Sequence, residues 1–153
     1  MVLWVAVLLL APVLILAGLS LASRSPPALG VKQGRLLPCS GASNCVSSET
    51  PGSAAIAPLP AGQSPARSWA AAREAVRQAG GSIIAEEPGY LRAEFATPLW
   101  RFIDDLELRL DEHQGVIHIR SASRVGRSDF GANRKRVAKI ASLYCRDSAD
   151  HCP

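Results

Sequence analysis

From Trp100 to Leu110 the chain alternates: Trp100, Phe102, Leu106, Leu108 and Leu110 share a face with Asp104, and Arg101, Asp105, Glu107 and Arg109 lie opposite. A period of two marks a strand with one buried face. After a loop at Asp111–Gly115, the run Val116–Ser123 turns Ile117 and Ile119 one way and His118 and Arg120 the other. Two such runs joined by a short loop specify an antiparallel hairpin. Matching their apolar faces sets Leu108 opposite Ile119 and Leu110 opposite Ile117. A slip of one residue would oppose Leu108 and His118, which disfavours it. The register places Glu107 opposite Arg120 on an exposed face. It places Asp104 opposite Ser123 on the buried face, where a carboxylate needs hydrogen-bonding partners.

The segments before the hairpin extend the sheet. Tyr90–Thr97 alternates, with Leu91, Ala93 and Phe95 on one face, and Ser82–Glu87 is a short strand ended by the turn signal Pro88-Gly89. A helix is expected to begin with Ser64 as N-cap and Pro65 at the first position, to carry Trp69, Ala72, Val76 and Ala79 inward, and to stop at Gly80-Gly81. A last helix over about 133–144 has Val137, Ile140, Ala141 and Tyr144 as its apolar stripe. The expected fold class is α+β: a small antiparallel four-stranded meander over 64–144, with an N-terminal and a C-terminal helix on one face. Residues 23–63, rich in Pro, Gly, Ser and Ala, read as a linker and an irregular Cys-containing arm, and 145–153 as a Cys-containing tail.

Residues 2–22 contain no charged side chain and are almost wholly apolar. A helix of that length can cross about 30 Å of hydrocarbon. The expectation is an uncleaved membrane anchor preceding the domain. A signal segment cleaved near Ser20-Leu21-Ala22 is the alternative, although the run is long and no Lys or Arg precedes it. Orientation rests on opposed signals. Arg24, Lys32 and Arg35 follow the run, which favours a cytoplasmic-facing domain by the positive-inside rule. The four cysteines, Cys39, Cys45, Cys145 and Cys152, form two close pairs in sequence and favour disulfides in an oxidising compartment. We expect an extracytoplasmic, periplasmic domain with local pairs 39–45 and 145–152. A metal site from Cys145, His151 and Cys152 does not have a standard zinc spacing, and neither a metal nor a cofactor is expected.

The net charge of +4 is concentrated, because Arg120–Lys139 holds seven of the 17 basic residues against one acid, Asp129. This stretch runs from a strand end through the glycine loop Val125–Gly131 to a helix start at which Asn133 is a plausible N-cap. Arg134, Lys135 and Arg136 then fill the first turn, where each exposed cation costs roughly 0.3–1 kcal/mol against the helix dipole. A bound anion would reverse that balance. The candidate anion-binding residues are Arg120, Arg124, Arg127, Ser128, Asn133 and Arg134, for a small anionic molecule or a lipid head group. The competing reading is structural pairing, with Arg124 or Arg127 bonded to Asp104 or Asp129. Nucleic acid is not expected, since aromatic residues do not interleave with the charges. Asp104, with Ser121, Ser123 and Arg124, is a weaker candidate for hydrolase or transferase chemistry. A structural or assembly factor of the envelope, docking a protein partner, is the third reading.

Two motifs add a resemblance. Cys39-Ser40-Gly41-Ala42-Ser43-Asn44-Cys45-Val46-Ser47-Ser48 is one; Ser121-Ala122-Ser123-Arg124-Val125-Gly126, continued by Ser128-Asp129, Gly131 and Asn133-Arg134, is the other, and Phe102-Ile103-Asp104-Asp105 lies between them. From about Leu36 to Leu143 the chain resembles a bacterial and plastid family named domain of unknown function 1499. The resemblance implies a small α+β domain, often behind a membrane or export segment, and no established reaction. The Cys-containing tail departs from the commoner family pattern.

Overall fold

The computed structural model describes residues 2–147, the side chains of 2–9 and Asp147 aside. The uncharged run forms helix α1 (Val2–Ala22), which includes Pro12. Among the described residues no helix is long and apolar enough to cross a membrane. The side chains of residues 2–9, part of the span expected over 2–22, are not among those described.

The arm forms a small ribbon of β1 (Val31–Lys32) and β2 (Arg35–Leu36), then β3 (Cys45–Ser47) and β4 (Leu59–Pro60). Helix α2 (Pro65–Ala79), the strands β5 (Ser82–Glu87), β6 (Tyr90–Ala96), β7 (Ile103–Asp111) and β8 (Val116–Ser123), and helix α3 (Ala132–Asp147) follow. The fold is α+β. Strands β5 to β8 form the expected meander in the expected register: Leu108 faces Ile119, Leu110 faces Ile117, Glu107 faces Arg120 and Asp104 faces Ser123. The sheet has six strands rather than four, ordered β3-β8-β7-β6-β5, because β3 and β4 both pair with the open side of β8. The arm supplies these strands without any alternation in its sequence, since backbone pairing along a short edge needs none.

Helices α2 and α3 pack on each other and on the face carrying Leu91, Ala93, Phe95, Leu106, Leu108, Ile117 and Ile119, all part of one core with Val76, Val137, Ile140 and Tyr144. Ser64 holds the N-cap position of α2 in extended backbone but makes no side-chain cap bond, a correction to its expected role. At the other end Gly80 is left-handed (φ 101°), and Gly80 and Gly81 donate to Arg77 O and Val76 O. A side chain at Gly81 would collide with Phe95 and Val76, whose atoms lie within 3 Å of an ideal Cβ. Helix α3 is longer than expected at its end and carries Cys145 against the core, because no Gly or Pro stops it.

The opposite face of the sheet is not exposed as expected. Asp105 (2%), Glu107 (0%) and His118 are buried. The arm lies across this face, and Gly30 N and Tyr90 Oη donate to Glu107 Oε1 while Arg120 bonds Oε2. Burial, together with the adjacent Glu107 charge, pushes the Tyr90 hydroxyl well above its usual range. Charged side chains are tolerated here because every carboxylate has partners.

Candidate functional site

Two polar clusters and one apolar groove meet around the loop from β8 to α3. The first cluster lies beneath the start of α3. Asn133, expected as an N-cap, is instead inside the helix and fully buried. Its Nδ2 donates to Asn44 O (3.0 Å), Ser123 Oγ (3.0 Å) and Asp129 Oδ2 (2.8 Å), and its Oδ1 accepts from Ser121 Oγ (2.6 Å) and Arg136 Nη1. Arg136 extends the network to Asp104 Oδ2 (2.6 Å) and stacks its guanidinium 4.7 Å from the Phe95 ring centre. Asn44, from the loop closed by the Cys39–Cys45 disulfide, also donates to Gly126 O (2.7 Å). The two motifs are thus one hydrogen-bonded unit tying arm, sheet and helix together.

Asp129 supplies the helix cap. Its carboxylate accepts from Gly131 N (2.9 Å) and Asn133 N (2.8 Å). Burial pulls this carboxyl upward, but those N–H groups and the Asn133 amide prevail and hold it below the usual carboxylate range. The negative charge at the helix start is therefore the protein's own, in the position an external anion would take.

The second cluster lies under the arm. Arg124 bonds Asp105 through Nε (2.7 Å) and Nη2 (2.8 Å), contacts Glu94, and donates to Ser23 O (3.0 Å) at the end of α1. Asp105 also takes Arg92. The bonds to Asp105, outweighing burial, raise the pKa of Arg124 further. Farther along this face, Glu49 pairs with Arg109 (2.9 Å), and Ser48 Oγ lies 3.1 Å from His118 Nδ1. His118 Nε2 is buried without a hydrogen bond, 3.9 Å from Asp111. Burial depresses the His118 pKa despite the nearby Glu49 charge.

The six residues expected to bind an anion do not converge. Arg120 and Arg124 are paired on the arm face, and Asn133 is buried on the helix face. Arg134 donates to Ser53 O and Ala55 O, Ser128 Oγ accepts from Phe130 N at 3.4 Å, and both residues are exposed. Arg127 is exposed. Asp104 is 3% exposed and committed to Arg136. Ser121 is sealed inside and Arg124 lies on the arm face, so of the four expected together only Asp104 and Ser123 share a surface, that of an apolar groove. The Cys39–Cys45 disulfide is formed as expected. No described cysteine is free, and the pairing of Cys145 with Cys152, like the Cys/His tail, involves residues outside those described.

The apolar groove is the feature sequence reasoning missed. It encloses about 350 Å³ between Leu16 and Leu19 of α1 and Phe102, Val125, Phe130 and Ala132, with Asp104 and Ser123 at its floor. Phe130 is 93% exposed and sits at φ 53°, a left-handed conformation costly for a bulky side chain. A large aromatic within a Gly-rich loop, between Asp129 and Gly131, was the sequence signal available.

A family model described as a protein of unknown function, DUF1499, matches residues 35–143. That span contains both motifs and nearly every residue of the two networks. Comparison with curated proteins and with solved structures gives no match. The chain belongs to the DUF1499 family of proteins of unknown function.

Proposed function

We propose that this chain is a membrane-anchored, non-enzymatic module on the extracytoplasmic side, which contacts anionic lipid head groups beside its anchor. The observation that carries the reading is the fusion of α1 to the domain. Ser20 Oγ donates to Trp100 O, Ile103 N donates to Ser23 Oγ (3.1 Å), and Arg124 grips Ser23 O. Along the described part of α1, Leu10, Val13, Leu14, Ile15, Leu19 and Leu21 are open to the surroundings. Such a continuous apolar surface calls for hydrocarbon. The helix end therefore sets the domain at the bilayer surface.

Beside that end Arg24 and Arg101 share a hollow with Arg124, and Arg127 sits between Gly126 and Ser128 of the groove wall; all three of Arg24, Arg101 and Arg127 are exposed. Each basic residue near an anionic surface contributes about 1 kcal/mol. These, rather than the paired Arg120 and Arg124, are the cations open to a head group. The disulfide supports an oxidising compartment. Against the positive-inside signal, Arg35 is partly neutralised by Glu49 at 3.4 Å. A non-enzymatic role is supported by the motif's polar side chains, which are spent on one another.

The test is alkaline extraction of membranes from cells expressing the full chain, with protease access from the outer side. The full-length chain should stay in the membrane pellet and be cleaved only from outside. Recovery of a soluble chain lacking residues 1–22 would refute the anchor. For the head groups, anionic lipid should be enriched among lipids co-purifying with the chain in mild detergent, and the enrichment should fall when Arg24, Arg101 and Arg127 are all changed to Gln. No enrichment over the bulk membrane would remove that part.

A further inference from the structure

We infer that the groove between α1 and the β8–α3 loop takes an acyl chain of the surrounding bilayer, and that Phe130 and Leu99 enter the same hydrocarbon. This inference rests on the membrane-anchored reading and names the ligand of that face. Outside α1 itself, the two most exposed large apolar side chains are Phe130 (93%) and Leu99 (81%). Both belong to loops that touch the end of α1. Leu99 adjoins Trp100, whose carbonyl takes the Ser20 hydroxyl, and Phe130 lines the groove with Leu16 and Leu19. The strongest apolar exposure on the domain is thus gathered at one place, around the helix that needs hydrocarbon.

Depth agrees with this assignment. At 1.5 Å per residue, Leu16 lies about 9 Å and Leu19 about 4–5 Å from the end of α1 at Ala22. With α1 crossing a bilayer, the groove opens where acyl chains begin, and amphipathic elements bury their apolar face to about 5–10 Å at that boundary. A volume of about 350 Å³ is at the low end of small-molecule sites, about 300–1,000 Å³. That suits a chain segment held between helix and loop. Because α1 forms one wall, the groove is continuous with the lipid-facing surface, and a chain enters without crossing water.

Phe130 carries two costs in water: an exposed aromatic ring, and a left-handed backbone (φ 53°) that Gly or Asn would adopt with less strain. Insertion into hydrocarbon removes the first. Asp104 and Ser123 at the floor are already bonded to Arg136 and Asn133 and present no unmet polar demand to the chain.

The test uses the full chain in its native membrane, with the photoreactive analogue p-benzoylphenylalanine incorporated at position 130. The ring is exposed, so the replacement leaves the packing undisturbed. On irradiation the chain should gain the mass of one phospholipid. Adding Ala132→Phe, which fills the groove, should lower the yield of that adduct to what the exposed ring takes from bulk lipid, while the same change at the solvent-exposed Ala66 should leave it intact. Adducts to protein alone, or none, would overturn the inference, as would an adduct that persists unchanged with Ala132→Phe. Alkaline extraction of the same membranes separates the two readings. A chain retained in the pellet but without lipid adduct defeats the groove assignment and leaves the anchor standing, whereas a chain absent from the pellet defeats both.

Discussion

Changing Asn133→Asp tests whether the family motif is architecture. The side chain keeps its shape, so no cavity forms, but the Nδ2 amino group, whose two N–H donors serve three acceptors, is replaced by an acceptor. Two of the lost bonds, to Asn44 O and Ser123 Oγ, are neutral and cost about 1 kcal/mol each; the third, to the Asp129 carboxylate, costs about 2 kcal/mol. The new charge would also stand 2.8 Å from an oxygen of Asp129. On the opposite side, Arg136 and Ser121 already bond an oxygen, and the stronger charge there returns about 1 kcal/mol. The net expectation at neutral pH is a loss of about 3 kcal/mol, before repulsion is added, against total stabilities of about 5–15 kcal/mol for domains of this kind. Two carboxylates in contact bind a proton more readily in the folded state than unfolded, so the loss should shrink as pH falls toward the carboxylate range. Denaturant unfolding of the detergent-solubilised chain, followed by tryptophan fluorescence, measures both effects, with Ser128→Ala as an exposed control. A cost below about 1 kcal/mol would place the variant near ordinary surface substitutions. The buried network would then not hold the loop, and the motif would need a ligand to explain it.

Three further outcomes are expected. The folded-state pKa of His118 is lowered from 6.5, so its contribution to stability is complete above about pH 6.5 and is lost as pH falls through the folded value; His118→Gln should flatten that limb between pH 7 and 5.5, and a parent chain with no loss across this window contradicts the assignment. Removing the Cys39–Cys45 bridge by Cys→Ser changes at both positions should cost about 2 kcal/mol, as expected for so short a loop, with unaltered stability in unfolding curves as the contrary result. Gly81→Ala, although it reduces the freedom of the unfolded chain, should destabilise by about 1–3 kcal/mol by driving a methyl into Phe95 and Val76; a variant as stable as the parent would show that both side chains move aside easily.

The hairpin of β7 and β8 was legible to the residue because both of its faces are patterned, and shifting either strand would bury His118 against Leu108. The same pattern misled about the second face. Glu107 and Asp105 alternate as solvent-facing residues do, yet the arm covers them, and its contacts come largely from backbone groups such as Gly30 N and the Ser23 carbonyl. Backbone donors and acceptors are present at nearly every residue, so they leave no trace in the sequence. The basic run from Arg120 was similarly readable in place but not in use: Arg120, Arg124 and Arg136 look alike in sequence and are separated only by which face of β8 or α3 each occupies. Asp129 takes the capping role expected of Asn133 because the helix begins at Ala132, two residues earlier than an Asn133 cap requires, which lets Asp129 bond both Gly131 N and Asn133 N. The groove depends on how α1 meets the domain, and no local periodicity encodes that.

The junction of α1 with the sheet has a geometric consequence. A domain on a flexible tether of n residues explores a volume about 5–6 Å × √n in radius and meets partners in any attitude. Here Ser20 and Ser23, at the end of the helix, bond Trp100 O, Ile103 N at the start of β7, and Arg124 just past β8. With α1 in a bilayer, the domain diffuses in two dimensions at constant height and with one side always turned down. Under the membrane-anchored reading, a tilt of the helix imposed by a thinner or thicker membrane would be passed through these bonds to the sheet, and the domain would report the attitude of α1.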